Sequence, residues 1–108
     1  MKLSDFIEKL NLRVLTEADG NKEVTGCYSG DLLSWVMSRA KEGDAWLTVM
    51  GNVNAVAVAV LTDCACIILT ENAPLDDAAK IKAEAQDVCF LQSDKNAYEL
   101  SVEISEIL

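Results

Sequence analysis

The 108-residue chain contains no histidine. That removes the commonest general base, the Ser-His-Asp and Cys-His arrangements, and any histidine-containing zinc site. The recognised phosphate and nucleophile loops are missing too: there is no Gly-x-Gly-x-x-Gly, Walker-type loop or Gly-x-Ser-x-Gly. With one proline and five glycines, neither a linker nor a low-complexity tail is indicated. Basic residues are scarce, nine against 18 acidic, and the net charge of −9 is spread without long runs of one sign. Such a surface repels a phosphate backbone and an anionic bilayer, so nucleic acid and membrane are not expected partners. No apolar run approaches the ~20 residues that cross a bilayer. The first ten residues mix charges with apolar side chains instead of forming a signal-peptide block, so a cytoplasmic location is expected. No catalytic set, metal site or cofactor is expected.

What remains is a patterned globular chain. Half of its residues are apolar, enough for a core, and the length suits one domain, residues 1–108. Leu3, Phe6, Ile7 and Leu10 recur at helical spacing behind Ser4 and Asp5, which predicts a short helix over 3–10. Residues 12–15 predict a brief strand, 16–22 a turn around Asp19-Gly20-Asn21, and 23–28 a second strand. Leu32, Leu33, Trp35, Val36 and Met37 cover a helix face over 31–40, with Arg39 and Lys41 where the dipole favours cations and Gly43 as the stop. Residues 46–50 and 64–69 are β-prone, and the latter is apolar throughout, like a strand covered on both faces.

Residues 55–61 alternate Ala and Val with both phases apolar, so periodicity alone does not choose between strand and helix. A crossover between parallel strands needs a connecting element and Asn54 is a good N-cap, so a short helix is predicted. A helix apolar all round needs cover all round, which a second copy of the chain would supply. Residues 76–86 predict an Ala-rich helix behind Pro74, and 88–92 the last buried strand. Residues 98–108 fit a closing helix or an edge strand, with the helix preferred.

This alternation predicts a three-layer α/β/α fold with a small, mostly parallel sheet. The loops that leave its strands would gather on one edge, where open parallel sheets bind ligands. They are Ser29-Gly30-Asp31, Gly51-Asn52-Val53-Asn54, Thr70-Glu71-Asn72-Ala73-Pro74 and Ser93-Asp94-Lys95. Gly51 permits a close backbone approach, and the amides of Asn52 and Asn54 can bond a base, a sugar or a phosphate. The plain alternative is an ordinary turn plus an N-cap, and Ser29-Gly30-Asp31 has the same two readings. The candidate ligand-binding residues are Ser29, Gly30, Asp31, Gly51, Asn52, Asn54, Thr70, Glu71, Asn72 and Ser93. Carboxylates at Asp31, Glu71 and Asp94 disfavour a bare polyphosphate; a ligand of few charges, or one carrying Mg²⁺, fits better.

Cys64 and Cys66 lie two apart and share a strand face, so with Cys27 or Cys89 they could ligate a soft metal or cluster. The spacing matches no cluster motif, and all four cysteines sit in or beside predicted strands, which favours core packing without disulfides. Trp35 and Trp46 read as core or interface anchors rather than stacking platforms.

The order of elements brings a family into view through residues 24–34 (Val-Thr-Gly-Cys-Tyr-Ser-Gly-Asp-Leu-Leu-Ser), Trp46-Leu47-Thr48, residues 54–59 (Asn-Ala-Val-Ala-Val-Ala) and Ile67-Ile68-Leu69-Thr70. Together they resemble a stand-alone DRTGG domain. Residues 2–12 (Lys-Leu-Ser-Asp-Phe-Ile-Glu-Lys-Leu-Asn-Leu) are similar to the start of the N-terminal domain of HPr kinase/phosphorylase. The Asp-Arg-Thr-Gly-Gly string itself is absent, and Thr70-Glu71-Asn72 stands where a glycine pair is common. The resemblance implies an α/β/α fold, self-association and a regulatory or accessory role without catalysis. Two functions are therefore expected: a homodimeric module sensing a small metabolite such as an adenine nucleotide, or an interaction subunit docking onto a redox or hydrogenase-type enzyme without a small ligand.

Overall fold

The computed structural model describes residues 1–17 and 19–108. The elements run α1 (Leu3–Lys9), β1 (Arg13–Val14), β2 (Gly26–Ser29), α2 (Leu33–Arg39), β3 (Asp44–Thr48), α3 (Val53–Thr62), β4 (Cys66–Leu69), α4 (Asp77–Ala85), β5 (Phe90–Gln92) and α5 (Ala97–Ile107). The strands form one sheet in the order β1-β5-β4-β3-β2. Strands β2 to β5 are parallel neighbours, while β1 pairs antiparallel with β5. This is the expected α/β class with its small, mostly parallel sheet.

Pleating divides the strand residues between two cores. On one side Trp46, Ile67, Leu69 and Phe90 pack under Val36 of α2, Ala55, Val56 and Ala59 of α3, and Ala79 and Ala83 of α4. On the other, Ala45, Leu47, Cys66, Ile68 and Leu91 pack under Leu3 and Phe6 of α1 and Leu100 and Ile104 of α5. All three helices that connect parallel strands thus lie in one layer, as same-handed crossovers in a single direction require. Because the parallel strands follow one another in unbroken order, no reversal opens a crevice among them.

The Ala/Val segment is helical. Ala55, Val56, Val58 and Ala59 are buried, whereas Val53, Ala57, Val60 and Leu61 face out. Asn52, not Asn54, is its N-cap: the Asn52 side-chain oxygen accepts from Ala55 N–H at 3.1 Å. The closing segment is also a helix, begun by a capping box between Asn96 and Glu99. Two boundaries shift for a shared reason. The Asp31 carboxylate accepts from Val49 N–H, and Thr48 Oγ1 accepts from Met50 N–H. These bonds withdraw residues 49 and 50 from the ladder, so β3 ends at Thr48, and Asp31 is held outside α2, which begins at Leu33.

Candidate functional site

Four parallel strands pointing one way bring the four expected loops to a common edge, and hydrogen bonds lace them together. Asp31 Oδ1 accepts from Thr48 Oγ1 at 2.7 Å and from Val49 N–H at 3.0 Å, joining the exits of β2 and β3. Trp46 Nε1 donates to the Gly30 carbonyl at 2.9 Å. Asp76 N–H donates to the Gly51 carbonyl at 2.8 Å, and a Cβ on Gly51 would stand 2.1 Å from the Pro74 carbonyl oxygen. The exits of β4 and β5 meet where Glu71 N–H reaches Lys95 O and Asn72 N–H reaches Ser93 O, both at 2.9 Å.

These partners settle what several candidates do in the fold. The close approach that Gly51 permits is made by its own chain at Pro74, the Asn52 oxygen is spent on the α3 cap, and Asp31 is a cross-link between strand ends. Thr70 and Ser93 are buried, and Ser93 Oγ accepts from Lys95 N–H at 3.1 Å. Ser29, Asp31, Asn54, Glu71 and Asn72 are the candidates that stay exposed, Asp31 with one oxygen already committed to the strand ends. Glu71 and Asn72 both adopt left-handed backbone, at φ 55° and 54°, and Ala73 N–H closes the turn onto Thr70 O at 3.0 Å. That conformation costs L-residues little only at glycine, and less at Asn than at Glu. It gives a physical reason for a glycine pair at this point of the chain.

One cation at the rim is not visible in the linear sequence. Because β1 runs antiparallel to β5, with Arg13 opposite Gln92, the start of β1 lies at the strand-exit edge. Arg13 Nη1 donates to the side-chain oxygen of Gln92 and, at 3.4 Å, to that of Asn72. Gln92 is fixed in turn by its Nε2 donating to Ala73 O at 3.0 Å. Both acceptors are neutral amides, and among the described residues no carboxylate forms an ion pair with Arg13. The guanidinium is oriented without being neutralised, and the Arg13 side chain is exposed at the rim. Lys95, in contrast, pairs with Glu103 at 2.6 Å, and the hydrogen bond its ammonium donates to that carboxylate raises its pKa.

The thiols divide differently from the expectation of uniform core packing. Cys64, Cys66 and Cys89 are buried, but Cys27 is exposed because β2 is the last strand of the sheet. Burial pushes the Cys89 thiol up to about 12, the largest cause being loss of solvent. Cys27 is pushed to about 11 by local desolvation and then by the Asp44 carboxylate. Protonated thiols of this kind are poor nucleophiles and poor metal ligands at neutral pH. Among the described residues no group of three or more Cys, Asp or Glu is placed to hold a metal ion.

Open grooves occur away from the rim. One of about 330 Å³, lined by Glu23, Thr25, Glu42, Gly43 and Asp63, lies at the opposite edge, where the strands begin. Two others flank β2, and of the rim candidates Ser29 lines one of them.

No protein-family model and no curated protein matches this chain. A solved structure does. It contains the CBS and DRTGG domains of the regulatory region of Clostridium perfringens pyrophosphatase, complexed with its activator diadenosine tetraphosphate. The TM-score is 0.75 at 11% identity, over 99% of this chain and 47% of that one. The fold is DRTGG/CBS-like. The chain spans about half of that regulatory region, and the likeness does not extend to HPr kinase/phosphorylase. Among the described residues no helix is long and apolar enough to cross a membrane.

Proposed function

We propose that this chain is a self-associating, non-catalytic regulatory domain that binds a phosphate-bearing adenine nucleotide at its strand-exit rim. The observation that carries the reading is Arg13, a cation oriented by two neutral amides at an edge whose other cation, Lys95, is paired with Glu103. A guanidinium held in this way has its orientation set in advance, which reduces the ordering cost of binding an anion. Beside it stand Asn72 and Glu71, while Asn54 and Ser29 lie farther along the same rim toward the β2 edge. Glu71 and Asp94 favour a ligand of low charge or one whose phosphates carry Mg²⁺. The similar Clostridium perfringens regulatory region is complexed with an adenine dinucleotide activator, which supports the ligand class.

Thermal unfolding against adenine nucleotides, with and without Mg²⁺, tests the reading. A ligand at a hundred times its dissociation constant should add ~2.7 kcal/mol. For a domain of this size that is a rise of roughly 10 °C or more. Arg13→Ala should weaken binding about tenfold, or ~1.4 kcal/mol, while the free protein melts close to wild type. A flat panel contradicts the sensor and leaves the ligand-free accessory subunit, docked onto an enzyme such as a redox protein, as the reading to pursue.

A further inference from the structure

The sheet has two edges, and only one is guarded. Strand β1 is two residues long and carries Arg13, whereas β2 ends the sheet on the other side with no charge and no proline. Residues 24–30 are uncharged throughout, in a chain where a quarter of the residues are charged. Natural edges are usually blunted by Lys, Pro, a bulge or a covering element, because an open edge is a template for another strand.

The ladder fixes which groups are open. Ser29 pairs with Leu47, and Gly30 N–H donates to Leu47 O at 3.1 Å. In a parallel pair this turns the backbone of Tyr28 and Gly30 toward β3 and that of Cys27 and Ser29 away from it. An antiparallel second copy of β2, related by a two-fold axis through Tyr28, sets Cys27 opposite the partner's Ser29 and Ser29 opposite the partner's Cys27. Each pair exchanges two N–H···O bonds, so the edge is self-complementary, as an isologous interface requires.

The surroundings fit the same arrangement. Grooves of about 460 and 340 Å³ flank the strand on its two faces. Beside it Trp35 is 52% exposed with Arg39 over its ring at 3.6 Å, the residue types that anchor interfaces. The groove beside Thr25, just before β2, carries both signs, Arg39 and Lys41 with Glu42 and Asp44, and the two-fold axis brings the partner's Asp31 toward it. Two acidic molecules thus meet along a strand that itself carries no charge.

The geometry points to β2 as the self-association surface: two copies join edge to edge, antiparallel about Tyr28, into one continuous sheet. This inference rests on the self-association in the proposed function and names where it occurs. Ser29→Cys tests the register. In a hydrogen-bonded antiparallel pair the Cα atoms are ~5.5 Å apart, within the ~4.4–6.8 Å that a disulfide spans. Diamide, accepting two electrons and two protons per bond, should convert Ser29→Cys to a reductant-sensitive covalent dimer. Wild type, whose two Cys27 residues lie diagonally, should not cross-link. Cys27→Pro removes only an outward N–H and should shift the full-length protein from dimer to monomer in sedimentation equilibrium. Wild-type dimers with neither cross-linking of Ser29→Cys nor dissociation of Cys27→Pro would overturn the β2 edge while leaving self-association intact. A wild type that is monomeric at every concentration would overturn both.

Discussion

At the scale of single residues, the rim is held by groups whose ordinary structural duties were visible in the sequence only as one of two alternatives. Gly51 shows why. Its small size was legible, but not whether ligand or chain would use the space, since that depends on where Pro74 lies after a crossover of twenty-odd residues. The chain uses it: the missing Cβ lets the Gly51 backbone touch Pro74 and Leu75. Gly51→Ala sets a methyl group against backbone that cannot rotate away. It should cost about 2–3 kcal/mol, measured by urea unfolding, with the rim loops displaced together. Arg13 is the opposite case. A single arginine in a two-residue strand gives no sequence signal, and its placement follows entirely from the antiparallel pairing of β1 with β5.

At the scale of elements, local signals sufficed where a cap or a helical period was present. Residues 98–108 carried both a two-residue and a helical spacing, and the capping box decides between them. Asn96 Oδ1 accepts from Glu99 N–H at 2.9 Å, and Glu99 Oε1 accepts from Asn96 N–H at 3.2 Å. Asn96→Ala should lower stability by about 1 kcal/mol, seen as a fall of roughly 4–8 °C in melting temperature. The Ala/Val segment was legible as a helix through connectivity, but its cap was misplaced by two residues because Asn52 and Asn54 are equally good N-caps in isolation. Strand ends were less legible. β3 stops at Thr48 because a carboxylate seventeen residues earlier takes the next N–H, a contact that no window of sequence contains.

At the scale of the whole molecule, the parallel sheet and its common rim followed from the alternation of elements, but the order of strands did not. The unbroken sequence from β2 to β5 puts α2, α3 and α4 in one layer and removes the crevice that a reversal would have made. The rim that results is a surface laced by its own loops, with Arg13 at one end and the unguarded β2 edge at the other. A ligand there meets exposed side chains and backbone rather than a deep cavity, which places recognition on Arg13, Asn72 and their neighbours.

The central claim is that an adenine nucleotide docks on this rim, and amide chemical-shift mapping during titration with AMP and Mg·ATP tests it most directly. The account predicts saturable shifts at Arg13, Glu71, Asn72 and Gln92, extending to Ser29 or Asn54 and abolished or weakened in Arg13→Ala. Shifts confined to the opposite edge around Gly43 and Asp63, or none at all, would contradict it.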